Sequence, residues 1–145
     1  MRVTISMKPS SPSCWLPAYQ WLAGSGDAAT GLLLVTAPGW TLKLMGIQQL
    51  PQPIAFAGFI GVFVLGVGLA YFYAARLPLN ARHAPRWQTV WWLTALIRSL
   101  VAVFIAWQIC TGRMEKTWSA VAATDGGLAL FQWTGLRRGW LDFKA

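Results

Sequence analysis

The feature that most constrains this chain is a run of 22 residues, from Ile54 to Ala75, that contains no charged side chain. A helix that spans the hydrocarbon core of a bilayer needs about 20 mainly apolar residues. Apolar runs of roughly 10 to 14 residues are more typical of buried helices in soluble proteins. The sequence therefore predicts a transmembrane helix over residues 54–75.

Three other segments fit this pattern less completely. Residues 89–110 form an apolar run interrupted by Arg98, and residues 117–136 form a weaker run that contains Asp125. Residues 15–37 are diluted by a proline and several glycines, so this segment is predicted either to cross fully or to be kinked or re-entrant. Because the connections are short, neighbouring helices should run antiparallel. We expect an all-α integral membrane bundle of four antiparallel helices.

Composition independently favours a membrane protein. Hydrophobic residues make up 56% of the chain and charged residues 11%, whereas about 25% of the residues in soluble domains are charged. The ten tryptophans suit the membrane–water interface. The net charge of +8 does not indicate a nucleic-acid partner, because the basic residues lie between apolar runs instead of on one continuous face.

The distribution of Lys and Arg predicts the orientation, because these residues are enriched on the cytoplasmic side. Eight of them fall in the N-terminal segment, the second loop and the tail, and three fall on the other side. Both termini are therefore expected to be cytoplasmic. The chain divides into a cytoplasmic segment at 1–14, one transmembrane domain at 15–136 and a basic cytoplasmic tail at 137–145. The N-terminal segment lacks a compact apolar stretch, so no cleaved signal peptide is expected.

Three charged side chains fall inside the predicted spans. At a rise of 1.5 Å per residue, Asp27, Arg98 and Asp125 should lie within about 5 Å of one another in depth, near the middle of the membrane. Each would cost roughly 2.5 to 3.5 kcal/mol there. Small and polar residues lie near them on the same helices, including Gln20, Thr94 and Gln132. We therefore expect a buried cluster of these three charges at the centre of the bundle.

Two roles are compatible with this cluster. Its ion pairs could serve only to fix the order and register of the helices. Alternatively, two acids and one arginine sum to −1 when both acids ionise, so one acid is expected to hold a proton in the low-dielectric interior. Such a site could relay protons or bind the carbonyl group of a quinone-like ligand.

The segment from Gly24 to Gly31 also fits a dinucleotide-binding fingerprint. That motif requires a preceding strand and an acidic residue about 20 positions later. The preceding residues contain a proline and no strand-like alternation, and after Asp27 no Asp or Glu occurs before Glu115. We therefore expect no nucleotide site. One histidine and two cysteines also make a metal site of the usual zinc kind or a bis-histidine haem unexpected.

The second predicted span carries small residues in two runs at four-residue spacing. The predicted packing face comprises Ala57, Gly61, Gly66, Ala70 and Ala74. Small residues at such a spacing line a helix face on which another backbone can approach closely. We expect this face to contact another helix, either in the same chain or in another subunit.

Several segments together resemble the small bacterial DoxX-like four-helix membrane proteins. The resemblance covers about residues 28–140 and rests on "TGLLLVTAPGWTLKLMGI", "GFIGVFVLGVGLAYFYAARLP", Arg98 and "DGGLALFQWTGLRR". It implies a helical bundle in the bacterial inner membrane. For the few members with assigned roles, it implies association with quinone-linked redox systems such as thiosulfate oxidation. The first span departs from the family pattern, since proline and glycine interrupt it.

The sequence as a whole favours a small non-catalytic, multi-pass protein of the bacterial inner membrane. Its predicted role is that of an accessory or stabilising subunit in a larger membrane complex, such as an energy-transducing one. The alternative is a DoxX-like redox component whose charged cluster handles quinone or protons. No cofactor is expected within this chain alone, and contact with a quinone, a lipid or a pigment is left open. The expected partners are membrane lipid and either other membrane subunits or further copies of the chain.

Overall fold

The computed structural model describes residues 15–143, which form helices and no strands. The all-α prediction is confirmed over this range. The predicted N-terminal segment at 1–14 and the last two residues of the tail lie outside the described residues. The helices are α1 (Trp15–Thr36), α2 (Pro38–Leu44), α3 (Ala55–Ala75), α4 (Ala84–Cys110) and α5 (Ser119–Arg137), the last preceded by a 3-10 turn at Lys116–Trp118.

Two of the described helices, α3 and α4, are long and apolar enough to cross a membrane. Most of their residues lie outside the protein core, unlike those of the central helix of a soluble protein. This finding is compatible with a membrane protein by length and composition. The assignment of α1 and α5 to the membrane, and the position of the termini, stay predictions.

Prolines explain where several helices begin. α2 starts at Pro38, in the connection between the first two predicted spans. Proline is favoured at the first helical position, because the N–H that it lacks would have no hydrogen-bond partner within the helix. α4 starts at Ala84, before the predicted residue 89, because Pro85 lies in the first turn, where proline is tolerated. Pro17 likewise lies in the first turn of α1, so α1 is one continuous helix.

The long helices form two antiparallel pairs, α1 with α3 and α4 with α5. In the first pair the backbones touch. A Cβ atom added to Gly31 would lie 2.7 Å from the carbonyl oxygen of Gly61, and one added to Gly61 would lie 2.8 Å from the carbonyl oxygen of Gly31. The absence of a side chain at Gly31 and Gly61 therefore lets the two helices approach closely.

The predicted packing face of α3 needs one correction. Gly66 is exposed, and a Cβ atom added there would meet nothing within 4 Å. Gly68 makes the close contact instead, since a Cβ atom on it would lie 2.9 Å from the carbonyl oxygen of Gly24. Seven residues separate Gly61 from Gly68, which is close to two helical turns, so these two share a face and Gly66 does not. The other members of the predicted face are buried or half-buried, namely Ala57, Gly61, Ala70 and Ala74.

At one end of the molecule, called here the aromatic end, rings from both pairs interlock. The ring centroid of Tyr19 lies 5.3 Å from that of Trp91 and 5.0 Å from that of Phe131. Trp15 and Trp140 are 5.4 Å apart by the same measure. The core cluster at this end comprises Leu16, Ala74, Trp87, Val90, Trp91 and Leu141. Large side chains therefore fill the space between the pairs here.

The opposite end, called here the α2 end, has a smaller core of Leu34, Leu42, Ile47 and Ala57. Glu115 ties the loop after α2 to the connection between α4 and α5. Its carboxylate accepts hydrogen bonds from the backbone N–H of Gln48, at 3.2 Å, and of Gln49, and from the hydroxyl of Thr117, at 3.0 Å. Desolvation opposes ionisation of Glu115, but these hydrogen bonds outweigh it and lower the pKa of its carboxyl below the ordinary value.

The contact between α1 and α3 can be tested by adding one methyl group. Gly31→Ala should destabilise the folded protein by about 1 to 3 kcal/mol, because the new Cβ atom overpacks a backbone contact. Gly66→Ala is the matched control, since its Cβ atom would meet no neighbour. Thermal unfolding in a mild detergent measures both. A loss of stability in Gly66→Ala as large as that in Gly31→Ala would contradict the assigned helix contact.

Candidate functional site

A single guanidinium group joins the four long helices. Arg98 lies near the middle of α4, and its Nη2 donates to Oδ2 of Asp27 on α1 at 2.5 Å. Its Nη1 donates to Oδ1 of Asp125 on α5. Its Nε donates to the hydroxyl oxygen of Tyr71 on α3 at 3.3 Å. The structure thus brings together the three charges that the sequence places at a common depth.

Tyr71 belongs to this site and was missed by the sequence analysis. Its ring also lies under the guanidinium group, with the Arg98 Cζ 5.7 Å from the ring centroid, a distance typical of a cation–π contact. Tyr71 lies three residues after Gly68 and three before Ala74, on the buried face of α3. A tyrosine on such a face is a signal that could have been used, because a buried phenol normally requires a hydrogen-bond partner.

The cluster is mostly but not completely shielded. The side chain of Arg98 is 6% exposed, and those of Asp27 and Asp125 are 17% and 18% exposed. All three nitrogen atoms of the guanidinium group have hydrogen-bond partners. By contrast, Oδ1 of Asp27 and Oδ2 of Asp125 form no hydrogen bond with the described residues. The cluster therefore keeps acceptor capacity in these two carboxylate oxygens and donor capacity in the second N–H of each Nη atom of Arg98.

A second polar layer lies two helical turns nearer the aromatic end. Gln20 and Gln132 are each seven residues from the aspartate on the same helix, and both are fully buried. Gln132 donates from Nε2 to the hydroxyl oxygen of Thr94 at 2.7 Å. The amide of Gln20 and the oxygen of Gln132 have no partner among the described residues. Polar groups thus continue from the cluster into the aromatic half.

A cavity of about 770 Å³ extends from the cluster toward the α2 end. Its walls come from both helix pairs and are mainly apolar. Asp27, Arg98 and Asp125 are the ionisable residues that line it, and they form its polar base. Examples of the apolar wall, one from each of the four long helices, are Leu34, Val64, Ile105 and Val121. The site is therefore an apolar cavity with charged residues at one end.

Among the described residues, the cavity has lateral gaps between α1 and α5, whose backbones do not approach each other closely, and between α3 and α4, whose backbones do so at few positions. The gap between α3 and α4 is the apolar opening. Five apolar side chains at this opening are each more than half exposed, namely Phe56, Ile60, Phe63, Leu100 and Phe104. An opening lined in this way suits access from hydrocarbon better than access from water. A molecule dissolved in the membrane could therefore reach the cluster from the side.

A second depression, of about 640 Å³, lies on the surface at the aromatic end. Its lining includes Gln88 and Asp142, whose side chains already bond to each other at 2.8 Å. It has no buried charged group. The cavity between the helix pairs is the stronger candidate site, because it combines enclosure with polar groups that have free capacity.

The segment from Gly24 to Gly31 is a continuous part of α1. It therefore lacks the strand and the turn that a dinucleotide fingerprint requires. Gly24 and Gly31 serve the contact with α3 instead, since a Cβ atom on either would press against that helix.

No family model, no curated protein and no solved structure matches this chain. The DoxX-like resemblance therefore stays a prediction.

The electrostatic role of Arg98 can be tested by substitution. Arg98→Met should destabilise the folded protein by about 3 to 5 kcal/mol, because it leaves two buried carboxylates without their partner. Replacing all three charges, in Asp27→Asn/Arg98→Met/Asp125→Asn, should recover much of that loss. Unfolding in detergent measures both variants.

Arg86→Met is the matched control for this experiment. Arg86 lies in the first turn of the same helix, is exposed and forms no ion pair within the described residues, so its replacement should have little effect. Equal destabilisation by Arg98→Met and by the triple variant would contradict an electrostatic role, since the loss would then come from the shape of the arginine alone.

Proposed function

We propose that this chain is a four-span membrane protein that binds a membrane-soluble small molecule in the cavity between its helix pairs. The observation that carries this proposal is the coincidence, in one cavity, of a sideways apolar opening, an apolar wall and a charged base. Apolar pockets with a few convergent polar groups are the usual form of small-molecule sites.

The four-span arrangement draws support from Arg98. α4 is long and apolar enough to span a membrane, and α1 and α5 flank it at the level of its central arginine. α1 also has large exposed apolar side chains, such as Leu22 and Leu32, and α5 has Leu130. Helices in these positions with such surfaces are most stable in the membrane beside α4. The proposed orientation places the aromatic end, with most of the basic loop residues, in the cytoplasm.

The polar base indicates what kind of head group the ligand has. Two carboxylate oxygens lack partners, and Nη1 and Nη2 of Arg98 each keep one N–H beyond the bond that they form. A ligand whose head group both donates and accepts hydrogen bonds is therefore favoured. The hydroxyl-bearing reduced form of a quinone is one molecule of this class, and through it the DoxX-like resemblance would extend to this site.

Isolation of the protein from its native membrane tests ligand binding. The full chain is purified in a mild detergent, extracted with organic solvent and analysed by mass spectrometry. We expect a lipophilic compound in near-stoichiometric amount. Val121→Trp, one helical turn from Asp125 on the cavity wall, should reduce its amount at least tenfold because the indole ring occupies the space next to the base.

Val62→Trp is the matched control, because Val62 is exposed on α3 and does not line the cavity. It should retain the compound. No compound above the lipid background of a control membrane protein, or equal retention by Val121→Trp, would contradict the proposed function.

A role as an accessory subunit is the second candidate, favoured by one observation. Gly66 is exposed on α3 and meets no other residue of the described chain, so another helix could approach closely there. The same mild-detergent preparation should then contain a stoichiometric protein partner that Gly66→Leu releases.

The control for this experiment is Gly127→Leu, at an equally open position on α5. It should retain the partner. Recovery of the wild-type chain alone, without any co-migrating protein, would count against this role and leave the ligand-binding proposal unaffected.

A further inference from the structure

The charges at the base of the cavity do not balance. Asp27 and Asp125 together carry two negative charges when ionised, and Arg98 carries one positive charge. No other ionisable residue lines the cavity among the described residues. A net charge in apolar surroundings is costly, so the base should be most stable with one further positive charge.

The surroundings of the two carboxylates do not supply that charge. α4 contributes Arg98, and α3 contributes Tyr71, whose hydroxyl accepts from Arg98. α1 adds Tyr19, whose ring centroid lies 6.1 Å from that of Tyr71. The charged residue of α2, Lys43, is exposed and does not line the cavity. The missing positive charge must therefore be a proton or a ligand.

We propose that the cavity binds a lipophilic monocation, which replaces one proton held by either Asp27 or Asp125. The inference rests on the proposed ligand-binding function and narrows it to a positively charged ligand, which excludes a neutral hydroquinone. When the cation enters, the O–H bond of the protonated carboxyl breaks and its proton leaves to water. One positive charge replaces another, so the base stays neutral throughout.

Three features of the cavity fit such a ligand. The unpartnered oxygens of Asp27 and Asp125 can face a positive group, and the apolar wall can hold its hydrocarbon body. The sideways opening admits a molecule that is already dissolved in the membrane. An anion of the same shape would add to the negative charge instead of compensating it, and the base should reject it.

Tetraphenylphosphonium and tetraphenylborate are suitable probes, because they have nearly the same shape and opposite charge. Equilibrium binding to the full chain in detergent should show one saturable site for the cation and only micelle background for the anion. The affinity for the cation should rise with pH, by up to about tenfold per pH unit where one proton is exchanged. In weak buffer, about one proton should be released per bound cation.

Two variants test whether cation binding requires the two carboxylates at the base of the cavity or only a carboxylate elsewhere in the chain. Asp27→Asn/Asp125→Asn should lower the affinity for the cation at least tenfold and remove its pH dependence. Asp142→Asn removes an exposed carboxylate outside the cavity and should leave binding unchanged. Because the double variant also loses both ion pairs, proton release is measured on the wild-type chain, where no substitution can disturb folding.

Saturable binding of both probes would contradict the proposed selectivity for a cation. Cation binding without proton release and without pH dependence would contradict the proposed replacement of a proton by the cation. If neither probe binds but a native compound co-purifies and is lost in Val121→Trp, the cation proposal fails while the proposed function stands. If neither the probes nor a native compound bind, both fail.

Discussion

An arginine in the middle of an apolar helix must find partners, and this requirement governs how the two helix pairs are joined. Arg98 meets it with a carboxylate from each pair and a tyrosine hydroxyl from α3. Removal of one charge from such a group leaves the others buried and unpaired, which is strongly destabilising. The ion pairs therefore restrict the relative position of the helices more than apolar contacts alone would. Arg98 therefore fixes the relative position of the pairs at the middle of the helices.

Regular geometry explains what could be predicted from the sequence. The helical rise is constant, so the depths of Asp27, Arg98 and Asp125 followed from counting residues, and the cost of isolated charges implied that they meet. The contact of Gly68 in place of Gly66 depends on the rotation of α3 about its axis, which hydropathy does not report. Pro38 is compatible with either a loop or a helix start, because proline both ends helices and begins them.

The cavity could not be predicted, since it results from differences in side-chain size across the gap between the pairs. Near the aromatic end, Tyr19, Trp91 and Phe131 are long enough to bridge that gap. Beyond Arg98, several of the residues that line the gap are smaller, such as Thr30 and Val101. With the pairs held apart by aromatic rings at one end, these smaller side chains cannot close the space.

The hydrogen bonds of Glu115 have a mechanical consequence for the cavity. They connect the loop after α2 to the segment between α4 and α5, so the two pairs are fastened together at the α2 end as well as at Arg98 and at the aromatic rings. Because the two helix pairs are in contact at both ends of the molecule, they cannot easily move apart to widen the cavity between them. The width of the opening between α3 and α4 then depends on the side chains that line it, chiefly Phe56, Phe63 and Phe104.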